Sequence, residues 1–114
     1  MPKQGDLVLI PVPFTDLSSQ KRRPVIVVSN DEYNRSAPDV VVVAMTSNPA
    51  PSRYSFVVTS TDLAEGNLNR PGTVRVDKIY TLEKSLIVKT FGRVTESTVD
   101  RIHAVLSDLT SRKT

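Results

Sequence analysis

The sequence has 114 residues, no cysteine, and a formal net charge of +3 from 15 Lys and Arg against 12 Asp and Glu. This length suits one domain with one hydrophobic core, so we expect residues 1–114 to form a single domain. The lack of cysteine excludes disulfides, thiolate catalysis and cysteine-ligated zinc, and is typical of a cytoplasmic protein. No stretch approaches the about 18 consecutive apolar residues of a membrane-spanning helix, so we expect no membrane partner.

Short β-branched runs separated by turn residues dominate the first four fifths of the chain. Their spacing is typical of a small β-barrel or sandwich. The runs VIVV and VVVVA are apolar at every position, which indicates strands buried on both faces. The pattern predicts strands at residues 5–14, 24–29, 40–46, 54–59, 73–76 and 86–92. Pro11 and Pro13 predict that the first strand lies at a sheet edge or breaks at a bulge there.

The last fifth of the chain changes to a helical period. Val99, Ile102, Leu106 and Leu109 recur at spacings of three, four and three residues, which places them on one face of a helix. Thr95 is a favourable N-cap for that helix. The sequence therefore predicts a mainly β, α+β fold in which a C-terminal helix closes one side of a small barrel.

The densest positive charge directly precedes an apolar run, in QKRRPVIVVSN at residues 20–30. Pro24 biases Arg23 towards extended backbone, so this arginine is held where the chain enters the sheet. Lys21 and Arg22 lie beside it and are candidates for binding a polyanion. A second interpretation stays open, in which three cations before an apolar strand act as a solvated gatekeeper against aggregation.

Two hydroxyl residues end the most apolar run, in VVVVAMTSNP at residues 40–49. Thr46 and Ser47 can simply satisfy the backbone of the turn that follows them. If this run and the preceding one are antiparallel neighbours, the end of one lies beside the start of the other. Arg23 and Thr46 would then lie side by side.

Four blocks of the sequence resemble the MazF/PemK family of type II toxin–antitoxin toxins, which are sequence-specific endoribonucleases. These blocks are GDLVLIPVPF, KRRPVIVVSN, VVVVAMTSNP and GTVRVDKIYTLEKSLIVKTFGRV, in order over nearly the whole chain. The resemblance implies an SH3-like small β-barrel, a homodimer, and metal-independent cleavage of single-stranded RNA without a cofactor. It also implies a cognate antitoxin whose C-terminal segment occupies the RNA channel.

The resemblance assigns the catalytic pair to Arg23 and Thr46. The implied reaction is attack of a ribose 2′-OH on the adjacent phosphate. A guanidinium suits the negative charge of that step, because its planar donors match phosphate oxygens, but it is a poor proton carrier. We therefore expect Arg23 to act as an electrostatic stabiliser, with Thr46 holding the phosphate or the 2′-OH by a hydrogen bond.

Further RNA contacts are predicted around this pair. They are Lys21, Arg22, Ser47, Arg75, Asp77 and Lys78. For Arg75 and Lys78, ordinary exposed surface is the second interpretation. Asp77 precedes IYTLEKS, which the resemblance implies is a short helical turn near the substrate channel.

Two functions from other classes stay open beside the nuclease. A CcdB-type toxin shares the fold and acts on DNA gyrase without catalysis, and an RNA-binding module would bind without turnover. The lone histidine, His103, is expected to pack or to be partly exposed on the C-terminal helix, and the scattered acids predict no metal site. Apolar surface beyond the needs of one small barrel predicts a homodimer.

Overall fold

The computed structural model describes residues 1–11, 22–48 and 52–114. The helices of these residues are α1 (Asp31–Ser36) and α2 (Glu96–Leu109), with 3-10 turns at Ser60–Asp62 and Lys84–Leu86. The strands are β1 (Asp6–Pro11), β2 (Arg22–Val27), β3 (Asp39–Thr46), β4 (Ser55–Val58), β5 (Leu63–Glu65), β6 (Gly72–Glu83) and β7 (Lys89–Val94). They form one antiparallel sheet in the order β4-β6-β3-β2-β1-β7-β5.

The sheet is curled and buries apolar side chains on both faces. Neighbours such as Leu7 and Val8 belong to different clusters, because successive side chains of a strand project to opposite faces. The larger cluster, which α2 covers, contains Leu7, Ile26, Val43, Met45, Phe56, Val58, Val74, Val76, Val94 and Ile102. The smaller cluster contains Val8, Val25, Val27, Val40 and Val42. The predicted mainly β, barrel-like class is confirmed, as a half-barrel whose described ends are β4 and β5.

The predicted C-terminal helix is confirmed as α2. Its N-cap is Thr95, whose side-chain oxygen accepts a hydrogen bond from the Thr98 N–H at 3.3 Å. Ile102 is buried, and Val99 and Leu106 pack beside it against the larger cluster. Neither α2 nor any other helix of the described residues has the length and apolarity to span a membrane.

Between the predicted strands at residues 24–29 and 40–46 lies a helix that the sequence pattern did not predict. The side chain of Asn30 accepts a hydrogen bond from the Tyr33 N–H at 2.8 Å and so caps α1. Asn34 is fully buried, and its amide nitrogen donates to the Ser29 carbonyl at 2.9 Å. The helix is short and mostly polar, so it carries no apolar stripe that would have revealed it.

Strand β6 is longer than predicted, and the IYTLE part of IYTLEKS is extended rather than helical. Residues 79–83 pair with β3, and the 3-10 turn begins only at Lys84. Val43 pairs with Ile79 while Ala44 pairs with Arg75, so residues 76–78 form a bulge between the two halves of β6. The expected helical turn is therefore wrong over most of its length.

The prediction that the prolines place β1 at a sheet edge is also wrong. This strand lies between β2 and β7, not at an edge, and its bulge falls between Leu7 and Val8. Pro11 is the last described residue of β1 and Pro13 lies outside the described residues, so the alternative, a break at a bulge there, stays a prediction. Strand β5, between the predicted strands at residues 54–59 and 73–76, is a further element that the sequence pattern did not predict.

Candidate active site

Strands β2 and β3 bring the two predicted catalytic residues to the same end of the sheet. Val25 pairs with Ala44 in an antiparallel register. The same register, continued by two residues, places Arg23 opposite Thr46. Arg23 also pairs with Ile10 of β1, so its backbone is held by strand pairing rather than carried on a loop.

An open cavity of about 520 Å³ lies at this end of the sheet. Its apolar lining comes from Leu9, Met45, Leu68 and Phe91, together with two prolines. Its polar lining comes from Arg22, Arg23, Thr46, Ser47, Asn69 and Arg70. An apolar surface beside cationic donors matches the two parts of a nucleotide, since a base packs on apolar or aromatic groups and a phosphate binds guanidinium.

Thr46 is the last residue of β3 and is half-buried. Its Oγ1 accepts a hydrogen bond from the Asn48 N–H at 3.1 Å, so it does satisfy the turn backbone. A hydroxyl that accepts one bond keeps its own O–H to donate, and Thr46 therefore retains a donor for a ligand. Ser47 follows it, is exposed, and also lines the cavity.

Arg75 and Asp77 form a bidentate ion pair on β6. Arg75 Nε and Nη2 donate to the two carboxylate oxygens of Asp77, each at 2.9 Å. This pairing lowers the pKa of the Asp77 carboxyl from its ordinary value and raises the pKa of the Arg75 guanidinium. Arg75, Asp77 and the exposed Lys78 are not among the residues that line the cavity, and their RNA contacts stay predictions. Lys21 lies outside the described residues.

The sequence analysis missed the residues that the β5–β6 connection contributes to the cavity. Arg70 and Pro71 precede β6 in the way that Arg23 and Pro24 precede the apolar part of β2. The repeated arginine–proline pair before a β-branched run was therefore a usable signal. No comparable signal marks Phe91, which packs against the larger cluster and also lines the cavity.

Two further predictions from the sequence concern metal binding and the position of His103. Among residues 1–11, 22–48 and 52–114, no three His, Asp or Glu side chains are grouped as metal ligands. His103 is exposed on α2 and does not line the cavity. The polar side chains that line the cavity in the described part of the chain carry guanidinium, hydroxyl and amide groups.

The chain is similar to several solved structures. A mycobacterial endoribonuclease solved in complex with its cognate antitoxin shares 25% identity over 95% of this chain and 93% of that chain, with a TM-score of 0.71. Another mycobacterial endoribonuclease shares 27% identity over 94% of this chain and 88% of that chain, with a TM-score of 0.73. A MazE–MazF structure from Deinococcus radiodurans, at 17% identity over 98% and 97% of the two chains, shows the fold alone, with a TM-score of 0.73. Curated protein sequences give no match.

A family model described as "PemK-like, MazF-like toxin of type II toxin-antitoxin system" matches residues 3–110. The match extends from before β1 to beyond the end of α2 and includes every residue assigned to the cavity. The resemblance seen in the sequence is therefore confirmed over nearly the whole chain. This chain belongs to the family of PemK-like, MazF-like toxins of type II toxin–antitoxin systems.

Proposed function

We propose that this toxin is a sequence-specific endoribonuclease that cleaves single-stranded RNA and thereby stops translation and growth. One observation carries the proposal. Arg23 and Thr46 come from different strands, yet they line one cavity together with Arg22 and Arg70. Family membership and the two mycobacterial endoribonucleases with this fold support the same conclusion.

The proposed reaction is an internal displacement at phosphorus. The ribose 2′-oxygen forms a bond to the adjacent phosphorus, the bond from phosphorus to the 5′-oxygen breaks, and the products carry a 2′,3′-cyclic phosphate and a 5′-hydroxyl. Arg23 stabilises the negative charge that builds on the phosphate oxygens, and the Thr46 hydroxyl holds the phosphate or the 2′-OH.

Proton transfer is the step of the reaction for which the described cavity lining provides the fewest suitable side chains. None of its described lining residues is a carboxylate or an imidazole. We therefore propose that water accepts the proton of the 2′-OH and supplies the proton to the 5′-oxygen. In this scheme the protein contributes mainly position and electrostatic stabilisation.

The test is incubation of the purified protein with a long single-stranded RNA in EDTA, followed by gel electrophoresis. We expect discrete fragments whose 5′ ends are hydroxyls, so that polynucleotide kinase labels them without prior dephosphorylation. A 2′-deoxy substitution at the cleaved nucleotide removes the nucleophile and should abolish cleavage there. Intact RNA together with inhibited gyrase supercoiling would instead support a CcdB-type toxin, and RNA binding without fragments would support a binding module.

We further propose that a cognate antitoxin neutralises this toxin by occupying the same cavity. The cavity carries three arginines, which suits an acidic peptide segment as well as RNA. One of the similar endoribonucleases was solved with its cognate antitoxin, which supports this partner. Binding of antitoxin and of 2′-deoxy-substituted RNA should be mutually exclusive in a competition assay, and simultaneous binding would contradict the proposal.

We also propose that the toxin is a homodimer and acts in the cytoplasm, where mRNA is translated. Its exposed apolar side chains include Ile79, Tyr80, Leu86 and Val88, all within one ten-residue segment. A second copy would cover surface of this kind. Sedimentation at micromolar concentration should give twice the 12.6 kDa mass of one chain, whereas a monomer would contradict the dimer.

A further inference from the structure

The connection between β5 and β6 lines the cavity with four consecutive residues, Leu68, Asn69, Arg70 and Pro71. We call these residues the 68–71 wall. They come from a different part of the sheet than Arg23 and Thr46, since they lead into β6 rather than belonging to β2 or β3.

Both ends of this connection are closely packed against other parts of the chain. Gly66 has a φ of +87°, and a Cβ on it would lie 2.6 Å from the carbonyl oxygen of Phe91. A Cβ on Gly72 would lie 2.9 Å from the Met45 sulfur. A larger residue at Gly66 would clash with backbone and adopt a strained φ, whereas one at Gly72 would require the Met45 side chain to shift. The connection therefore packs against two residues that themselves line the cavity.

The hydroxyl of Ser60 forms two hydrogen bonds with Leu68, the first residue of the 68–71 wall. Ser60 Oγ donates to the Leu68 carbonyl oxygen at 3.1 Å and accepts from the Leu68 N–H at 2.9 Å. Ser60 belongs to a 3-10 turn that Thr59 and Asp62 close with a capping box. The Asp62 carbonyl in turn accepts from the Thr95 N–H at 2.9 Å, which ties this turn to the start of α2.

The chemistry of the wall differs from that of the catalytic pair. Arg23 and Thr46 address the phosphate and the ribose, which every nucleotide carries, so they cannot distinguish one base from another. Asn69 has an amide that donates and accepts, as recognition of a base edge requires. Leu68 and Phe91 provide apolar surface for the face of a base.

We propose that the 68–71 wall selects a base beside the scissile phosphate, with Asn69 binding the base edge and Ser60 acting as the positioning residue that holds the wall. The proposal rests on the proposed ribonuclease function and adds which residues make it selective. Preorganisation matters here, because a wall that is already ordered loses less conformational entropy when RNA binds.

The first test is Asn69→Ala, with Asn67→Ala as its matched control. Asn67 is an exposed asparagine of the same connection that does not line the cavity. Sequencing the 5′ ends of fragments from a complex RNA pool gives the cleavage consensus of each variant. We expect Asn69→Ala to lose selection at one position of the consensus and Asn67→Ala to keep the wild-type consensus.

The second test is Ser60→Ala beside Ser60→Thr. The alanine variant loses both hydrogen bonds to Leu68, whereas threonine keeps the hydroxyl. We expect Ser60→Ala to lower the ratio of kcat/KM between the preferred RNA and a single-base variant of it by about tenfold, the equivalent of one weakened hydrogen-bond contact. Ser60→Thr should restore the ratio. An equal loss on both RNAs would indicate a merely structural role and overturn the assignment of Ser60.

The outcomes separate this proposal from the function on which it rests. Sequence-specific cleavage by the wild type, with an unchanged consensus for Asn69→Ala, would overturn the 68–71 wall as the selector and leave the nuclease intact. No cleavage of any RNA by the wild type would overturn both proposals. A consensus changed by Asn69→Ala and by Ser60→Ala, but not by Asn67→Ala, would support the wall.

Discussion

Arginines occupy two different settings in this molecule. On β6, Arg75 gives two hydrogen bonds to Asp77 of the same strand, so its charge is balanced locally. At the cavity, Arg22, Arg23 and Arg70 lie together, and no described carboxylate forms an ion pair with any of them. A guanidinium whose donors are not occupied by the protein is available to a phosphate. The grouping of three arginines around one cavity distinguishes the candidate site from ordinary surface, because an exposed arginine such as Arg35 also has no ion pair among the described residues.

Among the variants that test this comparison, Arg23→Ala is expected to lower the rate of RNA cleavage most. Removing one charge-stabilising donor from the transition state typically lowers the rate about 10²- to 10³-fold, and we expect a loss of that size. Single-turnover cleavage of RNA measures it. Arg35→Ala is the matched control, because Arg35 is an exposed arginine on α1 that does not line the cavity. Equal rates for the two variants would rule out Arg23 as the stabiliser.

A smaller loss is expected from Thr46→Val, which keeps the shape of the side chain and removes its hydroxyl. A hydrogen bond to a charged group contributes enough that its loss should slow cleavage by about 10- to 100-fold. Thr46→Ser retains the hydroxyl and should stay within about threefold of the wild type. If Thr46→Val also stays within that range, the hydroxyl serves only the turn at Asn48.

The Arg75→Ala variant tests whether the ion-paired Arg75 contacts RNA, as the sequence predicts. Because Asp77 already balances its charge, we expect cleavage to fall by no more than about threefold. The same single-turnover assay measures this loss. A loss comparable to that of Arg23→Ala would restore the prediction from sequence and remove the distinction between the two settings.

The smallest effect concerns stability and its pH dependence at the Arg75–Asp77 pair. The pKa of Asp77 is lowered by the hydrogen bond from Arg75, so the ionised carboxylate favours the folded state. This contribution is present above the unfolded-state pKa and is lost as the pH falls through the lowered folded-state pKa. We expect the wild type to melt above Asp77→Asn at about pH 7, with the difference in Tm shrinking as the pH falls below the ordinary range of a carboxyl pKa. A difference that grows on acidification would contradict the assigned sign.

Much of the fold follows from local patterns. Strands β2 and β3 were predicted from β-branched runs, and α2 from a 3.6-residue apolar stripe with a threonine cap, because both patterns report burial directly. The juxtaposition of Arg23 and Thr46 was expected from the antiparallel pairing of two adjacent strands, and the register supports it. The predictions failed where no apolar pattern exists, as in α1, and where a bulge lets one strand continue, as in β6.

The sequence by itself determined the class of the fold and the C-terminal helix, because these depend on side-chain type and short-range spacing. Its family resemblance also predicts Arg23 and Thr46 as the catalytic pair, a role that the variants above test. Only the tertiary structure decided which further residues meet them. Asn69 lines the cavity because Ser60 holds the 68–71 wall and because Gly66 packs against Phe91, 25 residues further along the chain. Such contacts join segments that lie far apart in the chain and share no local pattern.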